Sequence, residues 1–333
     1  MLSEPKSCCA SCYYSFQNYV QDVVEQFEEL ITIAEEEDND LLKDYILRMK
    51  EVRDLSETNT PFLESIVSLY TKQFKTEEDV EKSLEHSCCT LNKHNMSRIS
   101  DVIQQTVREW SGEGSYVRDS CFRVLLDEIG TKKRVLVPGC GLARLPYELV
   151  KNGNECYACE CNHYMILTLN ALIQAKKEAF TICPYLVFTS DLVSSDFQRL
   201  KLKIPDVAPN EFLSQVKFSE EDFVTYTEKS QVTFDVVCTC YFMDTAFDAV
   251  EYITSIFKVL KSGGQWVNLG PLHWVNNCIS SFHFTLEEII QIAKRVGFTL
   301  VKNSEMKSTT YIPQRDCTTP VTYLPRLFIM SKP

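Results

Sequence analysis

The chain has 333 residues, of which 44% are hydrophobic, and its formal net charge at pH 7 is −12. This length and apolar content suffice for a sizeable core in one large or two ordinary domains, so disorder is not the default expectation. The acidic balance argues against a nucleic-acid-binding protein, because such proteins draw their affinity from clustered Lys and Arg. No apolar run approaches the roughly 20 residues that span a bilayer, and the N-terminus lacks a secretory signal. We therefore expect no nucleic-acid or membrane partner, and a location in the cytoplasm or in both the cytoplasm and the nucleus.

The first third of the sequence has the periodicity of amphipathic helices. Within residues 13–37, apolar residues three or four positions apart form one stripe, which comprises Tyr19, Val23, Phe27, Leu30 and Ile33. Such a stripe has to be buried, either over the site of the following domain or in a homodimer formed through these helices. Further helices are expected at residues 41–52, 62–74 and 99–110. We assign residues 1–95 to an N-terminal helical region.

From residue 134 onward, short β-rich runs alternate with longer helical ones. The expected strands are residues 134–137, 155–160, 234–240, 265–269, 298–306 and 326–330. The expected helices are residues 144–152, 163–177, 245–260 and 285–296, with K-S-G-G at 261–264 closing the third of them. This alternation predicts an α/β domain, residues 96–333, in which right-handed crossovers join parallel strands.

A glycine turn follows the first of these strands, in the sequence R-V-L-V-P-G-C-G-L-A-R. Gly139 and Gly141 would let bare backbone approach a ligand, and Glu160, about twenty residues further on, suits a carboxylate that accepts both ribose hydroxyls of a nucleoside. Arg144 stands where the dinucleotide fingerprint has its third glycine, and its bulk would crowd a pyrophosphate. A nucleoside cofactor without phosphates, S-adenosylmethionine, fits both observations. The alternative is a glycine turn that only packs its helix on the strand.

An acidic residue and an aromatic one follow the short apolar run at residues 216–218. Asp222 would accept a hydrogen bond from the exocyclic amine of adenine, and Phe223 would cover the base. This pair indicates an adenine site, and its alternative is a solvated turn with one buried Phe.

The sequence contains 15 cysteines, an odd number that favours reduced thiols over a disulfide framework. Cys156, Cys159 and Cys161 are spaced closely enough to suggest zinc. No second ligand pair completes a tetrahedral set, however, so we expect no metal.

Four motifs together resemble one protein family. They are Q-T-V-R-E-W-S from Gln105, V-P-G-C-G-L-A-R-L from Val137, F-M-D-T-A from Phe242 and N-L-G-P-L from Asn268. In this combination the sequence from Ile99 onward resembles the carnosine N-methyltransferases. The resemblance implies a Rossmann-like class I methyltransferase sheet with helices on both faces, preceded by an N-terminal helical extension. It also implies transfer of a methyl group from S-adenosylmethionine to an imidazole nitrogen of carnosine, giving anserine, or of related small histidine-containing peptides.

The resemblance further implies roles for individual residues. The cofactor-binding residues would be Gln105 and Arg108 at the methionine carboxylate, Gly139 and Gly141 in the loop beneath it, Glu160 at the ribose, and Asp222 and Phe223 at the adenine. Asp244 would be the catalytic residue at the substrate ring. The other substrate-binding residues would be His273, Tyr311 and Tyr323.

The sequence departs from the family pattern at three places. Ala143 stands where the family loop has its third glycine, a change that we expect to be tolerated if the following helix sits slightly further off. His273 follows N-L-G-P-L directly and leads into a shorter segment than in the family. Of the consecutive tyrosines in the family's tail, only Tyr323 remains.

Several alternatives stay open at the level of sequence. Asp244 follows a strand at the edge where open α/β sheets bind ligands, and it could hold the proton of the second ring nitrogen and stabilise the imidazolium. It could instead cap the helix predicted at 245–260. Arg108 could form a surface ion pair, for example with Asp101, and His273 could be a packed wall of the pocket. The alternative functions are a methyltransferase for another imidazole compound or a protein histidine, and a catalytically silent adenosyl-binding subunit.

Overall fold

The structure is a computed structural model that describes residues 9–70, 96–274, 282–313 and 317–333. The helices before the sheet are α1 (Cys9–Glu36), α2 (Lys43–Leu55), α3 (Thr60–Val67), α4 (Met96–Trp110) and α5 (Ser115–Ile129). The strands are β1 (Arg134–Pro138), β2 (Glu155–Cys159), β3 (Phe180–Ile182), β4 (Leu202–Ile204), β5 (Lys217–Ser219), β6 (Phe234–Cys240), β7 (Leu260–Gly270), β8 (Thr299–Glu305) and β9 (Arg326–Ser331). The later helices are α6 (Arg144–Lys151), α7 (His163–Gln174), α8 (Asn210–Leu213), α9 (Phe223–Lys229), α10 (Ala249–Val259) and α11 (Leu286–Val296).

Seven of the described strands form one mixed sheet, in the order β5-β2-β1-β6-β7-β9-β8. The first five strands in this order, β5, β2, β1, β6 and β7, are parallel to one another. Strand β9 runs antiparallel to both of its neighbours, β7 and β8. The chain builds outward from β1 to β2 and β5, and then returns to place β6 on the other side of β1. This reversal is a topological switch point, where open α/β sheets form their ligand-binding crevice.

Both faces of the sheet are covered. Val135 and Val137 of β1 belong to one buried cluster together with α1, α4, α6 and α7, whereas Leu136 belongs to a second cluster together with α10 and α11. Successive residues of a strand point to opposite faces, so β1 is buried on both sides. The predicted fold class, a Rossmann-like class I methyltransferase sheet with N-terminal helices, is confirmed.

The predicted closing turn at residues 261–264 is wrong. These residues form the first part of β7, because Gly263 and Gly264 exchange backbone hydrogen bonds with Lys332 beyond the end of β9. The small β3-β4 pair, which lies outside the main sheet, was not predicted.

The N-terminal helices pack on the same chain. Tyr19, Val23 and Phe27 are buried in the cluster that also contains β1. Beyond Phe27 the buried stripe continues through Ile31 and Ala34, whereas Ile33, which was predicted to belong to it, is 60% exposed. Burial of the stripe therefore does not require a second copy of the chain. The homodimer stays a prediction, but the need to bury this stripe no longer supports it.

The predicted boundary between residues 95 and 96 falls at the edge of residues 71–95, which lie outside the described residues, and it stays a prediction. None of the helices in the described ranges combines the length and the apolar character that crossing a membrane requires.

Candidate active site

A cavity of about 790 Å³ opens at the carboxyl ends of β1, β2 and β6. It brings together residues from across the sequence that were predicted to act at one site. Those that line it are Gln105, Arg108, Gly139, Gly141, Glu160, Asp222, Phe223 and Tyr311. The other predicted residues, Asp244, His273 and Tyr323, are not among those that line this cavity. All of the predicted roles stay predictions.

The glycine turn presents bare backbone to the cavity. Gly139 and Gly141 both have a φ of 57°, in the left-handed region that favours glycine. A Cβ on Gly139 would overlap the ring of Phe242, and one on Gly141 would lie 3.1 Å from Oε1 of Glu109. Ala143 has a φ of 63°, so the third position of the turn is left-handed as well. The cost of an alanine at this position therefore comes from its left-handed backbone conformation, and not mainly from the position of the following helix.

Glu160 lies just beyond β2 and ties the end of that strand to the glycine turn. Its Oε2 accepts the N–H of Gly141 at 2.8 Å, and its Oε1 accepts those of Cys161 and Asn162, each at 2.9 Å. Burial raises the pKa of Glu160, while the three N–H donors oppose the rise. The carboxylate is thus fixed at the wall of the cavity.

Asp222 and Phe223 form the start of α9. Asp222 caps this helix by accepting the N–H of Thr225 at 2.9 Å. Burial acts to raise the pKa of Asp222, but hydrogen bonds from Thr225 and its neighbours outweigh it and lower the pKa. The Phe223 ring meets the rings of Phe242 and Tyr252 edge-on, with centroids 5.6 and 5.4 Å away. The acid and the aromatic surface therefore lie together at one end of the cavity.

Arg108 points into the protein, so the surface ion pair considered for it is wrong. The residue is 4% exposed. Its guanidinium carbon lies 4.0 Å from the ring centroid of Tyr311 and 5.3 Å from that of Tyr241. Its Nε is buried and has no hydrogen-bond partner among the described residues. An unpaired donor on a buried cation that lines a cavity fits a site for an anionic ligand group.

Asp244 lies in a short 3₁₀ turn, Met243–Thr245, and is buried. The proposed cap is wrong, because α10 begins at Ala249 and it is Asp248 whose side chain accepts the N–H groups of Val250 and Glu251. The Oδ2 of Asp244 instead accepts the backbone N–H of His273 at 2.9 Å. Burial raises the pKa of Asp244, and this N–H opposes the rise.

Tyr311 and Tyr323 pack around Tyr241, which the sequence analysis missed, and His273 lies next to Tyr323. The Tyr241 ring centroid lies 5.0 Å from that of Tyr311 and 6.1 Å from that of Tyr323, and the His273 ring lies 6.4 Å from Tyr323. Tyr241 has a φ of 52°, which is strained for a bulky residue. Gly270 lies against it, since a Cβ there would be 3.1 Å from the backbone of Tyr241. The sequence holds no signal that pairs this glycine with Tyr241, because the two meet only in the folded chain.

The three closely spaced cysteines do not converge. Cys156 and Cys159 are buried, which raises the pKa of both thiols, and Cys161 is exposed. In the part of the chain that the structure describes, no group of three or more His, Cys, Asp or Glu residues is placed to hold a metal ion.

Residues 85–333 match the family model described as carnosine N-methyltransferase. The carnosine N-methyltransferase of Rattus norvegicus is 30% identical, in an alignment that covers 88% of this chain and 77% of the rat protein. The enzyme of the same description from Schizosaccharomyces pombe is 27% identical over 91% of this chain and 88% of the yeast protein. A third relative so described, from Dictyostelium discoideum, is 30% identical over 77% of this chain and 60% of that protein.

Proposed function

Because the chain belongs to the carnosine N-methyltransferase family, we propose that it methylates an imidazole nitrogen of carnosine, giving anserine, with S-adenosylmethionine as the methyl donor. Related small histidine-containing peptides would be further substrates. We place this activity in the cytoplasm, since the ten cysteines that the structure describes as free fit a reducing compartment.

The charge of the cavity is the observation that carries the proposal. Six carboxylate residues line it, namely Glu109, Glu160, Glu221, Asp222, Asp248 and Glu251, whereas Arg108 is the one Lys or Arg residue among the lining residues described. Such a wall repels a pyrophosphate and favours a ligand that carries positive charge and no phosphate. S-adenosylmethionine is such a ligand, and it supplies its methyl group from a cationic sulfonium.

We assign the lining residues to the three parts of this cofactor, its methionine, its ribose and its adenine. Arg108, with its unpaired Nε, would hold the methionine carboxylate, and Gly141 has no side chain to fill the space beside Gln105 and Glu109. Glu160 would hold the ribose. Asp222 and Phe223, at the other end, would hold the adenine.

The substrate ring needs little activation. The imidazole pKa is about 6.5, so at neutral pH the ring is mostly uncharged and has a free lone pair. Asp244 would accept a hydrogen bond from the N–H of the other ring nitrogen, which fixes the tautomer and stabilises the imidazolium that forms as the methyl group arrives. Its buried, raised-pKa carboxylate is already oriented by the N–H of His273.

The test is incubation of the protein with S-adenosylmethionine that is isotopically labelled in the methyl group, together with carnosine. Mass spectrometry should locate one label on the imidazole ring. Histidine, imidazole and other histidyl peptides are assayed in parallel. Labelling of one of these but not of carnosine would favour the alternative substrate class. Cofactor binding with no labelled product would indicate a silent adenosyl-binding subunit.

A further inference from the structure

A carboxylate beneath the glycine turn has no role in the assignments above. Glu109 lines the cavity, although the residue is only 3% exposed. Its Oε1 accepts a hydrogen bond from Nε2 of Gln105 at 2.5 Å, and its Oε2 accepts the backbone N–H of Arg144 at 3.0 Å. With Gly141 directly against Oε1, the carboxylate is fixed between α4 and the turn.

The positive charges around Glu109 do not form hydrogen bonds to its carboxylate. Nη1 of Arg108 lies 4.0 Å from Oε1, at the limit of an ion pair, and no hydrogen bond between the two side chains is present. The guanidinium of Arg144 binds the main-chain oxygen of Glu109, together with Asp206 and Glu148, instead of the carboxylate. Burial raises the pKa of Glu109, and the charge of Arg108 and the hydrogen bonds to the carboxylate only partly oppose the rise.

Other carboxylates at the cavity already have partners. Glu160 accepts three backbone N–H groups, and Asp222 and Asp248 cap helices. Glu221 pairs with Lys229. Glu109 also accepts hydrogen bonds, from Gln105 and from backbone N–H groups, but it is the lining carboxylate that lies next to Arg108, 4.0 Å from Nη1.

We propose that Glu109 binds the α-ammonium group of the cofactor's methionine part while Arg108 binds its carboxylate. The inference rests on the proposed function, because it takes S-adenosylmethionine as the ligand. An α-amino acid carries a cation and an anion on one carbon atom, and Arg108 and Glu109 offer the complementary pair side by side. Buried charges are stable only when they are paired, so a ligand with both charges satisfies both residues at once.

The experiment uses calorimetric titration with two probes, S-adenosylhomocysteine and its analogue in which hydrogen replaces the α-amino group. Glu109→Gln keeps the shape but removes the charge, so it should weaken binding of S-adenosylhomocysteine on the order of 10- to 100-fold. Binding of the deaminated analogue should change less than about twofold, because its partner group is missing. The matched control is Glu148→Gln, which touches the same Arg144 from outside the cavity and should alter neither affinity.

Equal weakening of both probes by Glu109→Gln, or no weakening of either, would overturn the inference. If the glutamine variant does not fold, as its melting curve would show, Glu109→Asp takes its place. Aspartate keeps the charge but holds it one methylene further from the ligand. Weaker binding of S-adenosylhomocysteine alone would support the inference. Equally weaker binding of both probes, or unchanged binding of both, would contradict it. If the unmodified protein binds S-adenosylhomocysteine but the variants do not discriminate, only the role of Glu109 fails. If it does not bind S-adenosylhomocysteine at all, the proposed cofactor fails as well.

Discussion

The proposed cofactor residues that line the cavity (the cofactor side) and the proposed substrate residues outside its lining (the substrate side) are held in different ways. On the cofactor side, the glycine turn, Glu160 and Asp222 follow directly on the parallel strands β1, β2 and β5, and backbone N–H groups fix both carboxylates. On the substrate side, Asp244, His273 and Tyr323 lie in segments between elements. Their connections are the bond from the N–H of His273 to Asp244 and the backbone pair of Tyr323 with Thr309.

This difference matches the different requirements of the two ligands, the methyl donor and the methyl acceptor. The methyl donor is the same for every acceptor, and the residues proposed to bind it follow hydrogen-bonded strands of the sheet. The acceptor is chosen by loops, which tolerate change without loss of the fold. The departures from the family pattern at His273 and in the tail fall on that second side. Substitutions on the two sides should therefore affect different measurable quantities.

The largest effect is expected from Asp244→Asn on the substrate side. Asparagine can still accept the N–H of His273, but it removes the charge that would stabilise the imidazolium. Turnover of a histidyl peptide should fall on the order of a hundredfold or more, with melting temperature and cofactor affinity nearly unchanged. Asp235→Asn, the same change at the opposite end of β6, is the control. Retained turnover in the Asp244 variant would remove this residue from the mechanism.

The next effect concerns the rigidity of the cofactor side. Gly139→Ala should lower the free energy of unfolding by about 2 kcal/mol or more, because it adds overlap with Phe242 to the cost of left-handed backbone. Phe242 cannot easily yield, since its ring stacks on Tyr252. The control is Gly153→Ala, where φ is 83° and no atom lies within 4 Å of the added Cβ. Chemical denaturation should give that variant the smaller loss, and equal losses would mean that the Phe242 contact is unimportant.

A smaller effect is expected at Glu160. Glu160→Gln should weaken binding of S-adenosylhomocysteine roughly tenfold, because it replaces a charge-assisted acceptor and turns an amide toward one of the three N–H donors. The affinity for the peptide substrate should change little. Glu155→Gln, at the start of the same strand, removes the same charge far from the cavity and is the control. Unchanged cofactor affinity in the Glu160 variant, measured by calorimetry, would contradict the ribose assignment.

The sequence was sufficient where function follows local structure. The strand at residues 234–240, the glycine turn and Glu160 at the end of β2 were predictable, because each follows from periodicity and spacing within one βα unit. The positions of Tyr241 and Glu109 at the cavity were not. Their surroundings come from Gly270, Tyr311 and the turn at Gly141, which only the tertiary fold brings near.

The helix cap that was kept as the alternative role of Asp244 shows a second limit of sequence reasoning. The segment D-T-A-F-D-A contains two aspartates, and both are suitable caps. The chain makes a 3₁₀ turn before α10 starts, which leaves the cap to Asp248 and frees Asp244 for His273. Periodicity places a helix end only to within a few residues, and here that margin decides whether Asp244 is a helix cap or is left for the catalytic role proposed above.

The smallest effect is expected at Ala143, the departure that lies on the cofactor side. Ala143→Gly would relieve about 1 kcal/mol of left-handed strain, since φ is 63° there. It would also remove one methyl group from a fully buried position, which costs about 0.8 kcal/mol. The two terms nearly cancel, so the free energy of unfolding should change by less than about 0.5 kcal/mol, and the affinity for S-adenosylhomocysteine by less than about twofold. A tenfold gain in affinity would instead mean that the alanine holds α6 away from the ligand, and that the cofactor side is less rigid than the comparison requires.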